Sequence, residues 1–102
     1  MITDLSERNL EGLHMPMVLV KFYARLREEL GFERLEIEAE KLTDLLDKLR
    51  EVLGDKKDRV FEGRFLKRGI LISLNDEVVG GDLERDLRDG DEVGIMPAPS
   101  GG

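Results

Sequence analysis

The sequence predicts an α+β domain of two layers, with one amphipathic helix lying across one face of a mixed sheet. Three observations carry this. Short β-branched and aromatic stretches, VLVKFYA at 18–24 and GILISL at 69–74, alternate or run apolar over strand-like lengths. Leu42, Leu45, Leu46, Leu49 and Leu53 fall on one face at helical spacing. Turn residues (Gly31, Gly54, Asn75-Asp76, Asp89-Gly90-Asp91) separate these stretches.

In chain order, residues 1–16 read as an N-terminal extension, expected to be mobile. Leu5, Leu10 and Leu13 do not share a face, and Gly12 interrupts them. Val18 to Ala24 is the first strand, with Val18, Val20 and Phe22 on one face and Leu19, Lys21 and Tyr23 on the other. Arg25 to Leu30 is a short helical turn, with Leu26 and Leu30 at i, i+4 and Gly31 closing it. Phe32 to Ala39 resumes alternation and is expected to pair antiparallel with the first strand, Leu35 and Ile37 inward. Thr43 is the expected N-cap of the main helix, with Asp44 favourable in its first turn and Gly54 at its stop.

Residues 55–68 are polar with two aromatics and a glycine and read as a long connection. Gly69 to Leu74 is a strand, Asn75-Asp76 a turn and Glu77 to Val79 a short return strand. Leu83 and Leu87 anchor a brief segment before the last strand, Glu92 to Met96. The order strand, strand, helix, strand, short strand, strand is the β-grasp, or ubiquitin-like, pattern. The domain is placed at 17–96.

Residues 97–102, Pro-Ala-Pro-Ser-Gly-Gly, form an expected flexible tail. Proline fixes φ and donates nothing to a sheet, so the lead is stiff. Glycine has no Cβ, so Gly101 and Gly102 can thread a channel too narrow for side chains. The internal Gly80-Gly81 has no free carboxylate and cannot share that chemistry.

With 102 residues the chain has room for one modest core. It has no cysteine, hence no disulfide, thiolate metal site or Cys nucleophile. Its single histidine, His14, lies in the extension, and no phosphate-binding glycine motif opens a helix. No metal site and no independent catalyst are expected. A net charge of −7 argues against direct nucleic-acid binding. No apolar run approaches the roughly 18–20 residues of a membrane-spanning helix, and the expected location is cytoplasmic. With the inward residues on the helix side, Leu19, Tyr23, Leu71 and Met96 face outward. Such an apolar outer sheet face beside a protruding tail marks a partner surface.

VKFYARLRE at 20–28, ISLND at 72–76 and LRDGDEVGIMPAPSGG at 87–102 together resemble the MoaD/ThiS ubiquitin-like sulfur carriers, most nearly the molybdopterin synthase small subunit. The pattern covers about 17–102. The resemblance implies that an E1-like (MoeB-like) activating enzyme adenylates the Gly102 carboxylate with ATP, which the partner consumes and this chain does not bind as a cofactor. Sulfur then converts that carboxylate to a thiocarboxylate. The MoaE-like large subunit would receive the tail, with Gly101 and Ser100 threading and Tyr23, Val78 and Met96 contacting partners. The alternative within the resemblance, ranked second to molybdopterin synthesis, is a small archaeal protein modifier or a tRNA-thiolation carrier using the same tail. A non-reacting ubiquitin-like interaction module is the alternative outside sulfur chemistry. Two features depart from the family pattern: the length of the 55–68 connection, and Met96-Pro97-Ala98-Pro99 in place of a more aromatic run.

Overall fold

The computed structural model describes residues 15–99. Seven strands and two α-helices follow in order. They are β1 (Met17–Phe22), α1 (Ala24–Leu30), β2 (Arg34–Glu38), α2 (Leu42–Leu53), β3 (Phe61–Glu62), β4 (Phe65–Leu66), β5 (Ile70–Leu74), β6 (Glu77–Val78) and β7 (Glu92–Pro97). Five strands form one mixed sheet in the order β2-β1-β7-β5-β6. Only β1 and β7 run parallel; every other neighbour in the sheet is antiparallel. This is the β-grasp arrangement expected from the sequence.

Period-two alternation explains which sheet face is covered. Val18, Val20 and Phe22 of β1 and Val93 and Ile95 of β7 are buried on the helix side. The five leucines of α2 close over them, all buried. Val20 pairs with Val93 and Phe22 with Ile95, so inward residues sit side by side across the parallel ladder. Phe22 also meets Phe32 edge to face, with ring centroids 5.4 Å apart.

Several boundaries differ from the sequence reading: the first strand ends at Phe22, with Ala24 opening α1, and the second is trimmed to Arg34–Glu38; three further differences have a clear cause. Helix α2 starts at Leu42 with Lys41 at the N-cap, not at Thr43. The Thr43 N–H is bonded to the Leu83 carbonyl and the Leu42 N–H to that of Arg85. Backbone from the 83–85 loop thus satisfies donors that a capping side chain would otherwise serve. The 55–68 connection has structure of its own: a 3-10 turn over Gly54–Arg59, then the β3–β4 hairpin. Val60 and Phe61 are buried, and these few apolar anchors were masked in sequence by the charges around them. Strand β7 runs through Pro97, one residue beyond the expected end, because Pro97 pairs with Ile70 while the next N–H, of Ala98, makes the bond to the Gly69 carbonyl. Of the extension expected to be mobile over residues 1–16, positions 1–14 lie outside the described residues, whereas Pro16 is tied to the fold, its carbonyl accepting a hydrogen bond from Ala39 N–H at 3.0 Å.

Glycine and its substitutes set two corners. Gly31 caps α1 with φ 86°, its N–H returning to the Arg27 carbonyl. Asn75 and Asp76, with φ 50° and 74°, make the two-residue turn joining β5 to β6. Asn75 then locks the turn to β7: its Oδ1 accepts from Glu92 N–H and its Nδ2 donates to Asp91 Oδ1.

Candidate partner surface and tail root

The outer face of the sheet is built by the residues that alternate with the core. Lys21, Gly94, Ser73 and Val78 lie side by side across β1, β7, β5 and β6. Tyr23 follows the end of β1, its N–H donating to the Ile95 carbonyl at 3.1 Å. Met96 pairs with Leu71 across the β5–β7 ladder. Tyr23, Val78 and Met96, the three candidate partner residues of the sequence, are thereby brought together. With Ser73 and Asp76 they line one shallow depression of about 300 Å³. Tyr23 is 38% and Val78 61% exposed, while Met96 is half-buried.

Two residues at this depression, Ser73 in its lining and Gly94 beside it, are not singled out in the sequence. Gly94 is buried, and a side chain there would strike Ser73, Tyr23 and Met96. Its missing side chain is what leaves the depression hollow. Ser73 is the one buried polar residue among the described residues. Alternation places both on the outer face, but only the register, pairing Ser73 with both Gly94 and Val78, shows that they meet there.

Ala24, directly after Tyr23, has φ 56°, a left-handed conformation that an alanine adopts at a cost. The chain turns there from strand into α1, which fixes where Tyr23 stands. Charge at the edge is balanced by Lys21 Nζ and Glu92 Oε2, 3.3 Å apart.

The tail root lies on the same sheet. Past Pro97, the Ala98 N–H donates to the Gly69 carbonyl at 2.6 Å, so the chain stays tied to the start of β5 until Pro99. Ser100, Gly101 and Gly102 lie outside the described residues. Among the described residues no three His, Cys, Asp or Glu side chains gather as a metal-holding group. No helix there is long and apolar enough to cross a membrane.

Titration is perturbed at one place away from this face. Lys41 Nζ donates to Asp86 Oδ1 at 2.8 Å. That hydrogen bond, with the attraction between the two charges, holds the Asp86 carboxyl below and the Lys41 ammonium above their ordinary values.

Comparison with known proteins agrees with this geometry. The sequence profile of the ThiS family matches residues 20–102, and the chain belongs to that family. It is a ubiquitin-like protein of the ThiS/MoaD sulfur-carrier and modifier type. The solution structure of small archaeal modifier protein 1 from Methanosarcina acetivorans is 36% identical, with a TM-score of 0.75, covering 87% of this chain and 99% of that one. CysO, in the BexX/CysO complex of Amycolatopsis orientalis, is 31% identical with a TM-score of 0.66, covering 83% and 99%. A chain in the complex of subunits 1 and 2 of the Helicobacter pylori molybdopterin-converting factor is 28% identical with a TM-score of 0.62, covering 84% and 99%. Among curated proteins no sequence match is found.

Proposed function

We propose that this chain is the sulfur-carrying subunit of a molybdopterin synthase, with Gly102 as its reacting residue. The supporting observation is the shared sheet: the root of the Ser-Gly-Gly tail and the depression between Tyr23, Val78 and Met96 belong to one five-stranded surface. A partner seated on that depression has the tail within reach of its own active site. The Helicobacter pylori relative, found in complex with subunit 2 of its converting factor, supports such a pairing.

A carboxylate is a poor electrophile. In this reading an E1-like, MoeB-like enzyme first joins the Gly102 carboxylate to the AMP portion of ATP, and pyrophosphate leaves. A sulfide-equivalent nucleophile then attacks the acyl carbon and AMP leaves, giving the thiocarboxylate. The MoaE-like large subunit receives Gly101 and Gly102 in a narrow channel, with Ser100 at its mouth, and takes the sulfur. Tyr23, Val78 and Met96 contact these partners, the catalytic groups are theirs, and the chemistry is cytoplasmic.

A second reading, a protein modifier that spends the same activated carboxylate on lysine amines, is favoured by the 36% identity to an archaeal modifier protein. Both readings are tested by incubating the protein with its activating enzyme, ATP and a sulfur source, then measuring intact mass. The expected product has one oxygen replaced by sulfur, and the variant lacking Gly102 forms no AMP adduct. Addition of the large subunit and the pterin precursor should yield molybdopterin. Isopeptide-linked products without molybdopterin would establish the modifier; an unmodified tail throughout would overturn both.

A further inference from the structure

The segment between α2 and β5 has a charge balance opposite to the rest of the chain. Residues 54–69 carry six cations, Lys56, Lys57, Arg59, Arg64, Lys67 and Arg68, against three carboxylates, Asp55, Asp58 and Glu62. The segment is therefore net +3, leaving ten cations against twenty carboxylates elsewhere. All six cations are exposed. The ion pairs of the described residues, within 4.0 Å, involve none of them. Lys56 and Lys67 donate only to backbone carbonyls, of Leu30 and Asp58. In so acidic a chain, a segment of net +3 is a local reversal of charge, and Arg64 brings one of its cations to the cavities beside α2.

The same segment presents apolar surface. Phe65, on the second strand of the hairpin, is 74% exposed. Between the hairpin and α2 lies a cleft of about 130 Å³ floored by Leu46, Phe61, Leu66 and Leu83. It opens beside a wider depression of about 610 Å³ flanked by Arg50 and Arg64, with Asp47 and Glu51 on the helix rim. Arg50 is committed internally, bonded to Asp47 and the Arg64 carbonyl and lying over the Phe61 ring at 5.1 Å. Arg64 has no such engagement for its side chain.

We propose that this basic, phenylalanine-tipped hairpin docks an acidic segment of a partner protein, one interspersing carboxylates with apolar side chains. Charge complementarity selects the acidic partner, since the carboxylates would meet Arg64 at the cleft and the net positive charge of the segment around it. The apolar cleft and Phe65 select a polypeptide over a polyphosphate chain, and the ten-charge negative excess of the remaining chain opposes nucleic acid. The surface does not depend on Gly102 chemistry, so the two readings stand or fall separately.

The test uses the full chain and a blocked peptide of repeating Glu-Glu-Leu triplets, followed by NMR and fluorescence anisotropy. Saturable binding is expected, perturbing amides of 56–68 and weakening as salt rises. Phe65→Ser, and separately Arg64→Glu with Arg68→Glu, should each lower affinity about tenfold or more, with the amide spectrum otherwise retained. Because Phe65 is largely exposed, its variant tests the surface even if the charge reversal unfolds the hairpin. Equal binding of a Glu-Glu-Ser peptide would remove the cleft from the proposal and overturn it. So would tighter binding of an oligouridylate, perturbations that spare both 54–69 and the cleft residues Leu46 and Leu83, or no saturable binding.

Discussion

Ser73 and Gly94 face each other across the β5–β7 ladder so closely that a Cβ on Gly94 would lie 2.5 Å from the Ser73 hydroxyl oxygen. The same Cβ would stand 3.0 Å from Tyr23 Cε2 and 3.1 Å from Met96 Cε. Gly94→Ala should therefore cost about 1–3 kcal/mol through overpacking, despite alanine's lower backbone entropy loss. Removing the hydroxyl as well, in Gly94→Ala with Ser73→Ala, should recover at least half of that loss in denaturant titration. Equal stability of single and double variants would place the strain elsewhere.

Truncation of Leu49 tests the helix–sheet interface. Leu49 is fully buried among the α2 leucines, and Leu49→Ala should cost about 2–5 kcal/mol. That is a large share of a small domain's stability. A loss below about 1 kcal/mol in chemical denaturation would mean that the site collapses around the missing atoms.

Tyr23 and Met96 should separate recognition from folding. Neither is part of the buried core. Replacing both with Ser should change stability little yet weaken binding to the proposed partners, a MoaE-like large subunit and an E1-like activating enzyme, about thirtyfold or more, as loss of apolar anchors does. Normal affinity measured by calorimetry on the folded double variant would leave recognition to the tail.

The Lys41–Asp86 pair makes a pH prediction of definite sign. The Asp86 carboxyl is held below its ordinary value by the hydrogen bond from Lys41 and by its charge. Its contribution to stability is therefore present above the unfolded carboxylate's pKa and is lost as pH falls through the lower folded value. Carbon-detected NMR titration should find Asp86 ionising below ordinary aspartates, and Lys41→Met should return it upward. An unshifted Asp86 in the parent protein would show the pair to be open in solution, as exposed ion pairs often are.

Much of this architecture was legible in the sequence because its signals are periodic. The leucines of α2 and the alternation of Val18, Val20 and Phe22 name their buried faces directly. The outward phase of Tyr23 and Met96 followed from their neighbours. Ser73 and Gly94 were not legible, since their closeness depends on inter-strand register, which no local pattern encodes. The Thr43 cap failed because backbone carbonyls of a loop some forty residues away supplied the acceptors instead. In the β3–β4 hairpin, strands of two residues are too short to show alternation.

The central position of β7 has a consequence for the chain's synthesis. β7 alone joins the β2-β1 half of the sheet to the β5-β6 half, yet among the described strands it comes last in the chain. A nascent chain that ends before Glu92 leaves β1 and β5 with bare, unpaired edges, a sticky state open to aggregation and proteolysis. The domain closes only when the residues that lead into the tail have emerged from the ribosome. Truncation upstream of Glu92 therefore removes the tail and the junction of the two half-sheets together.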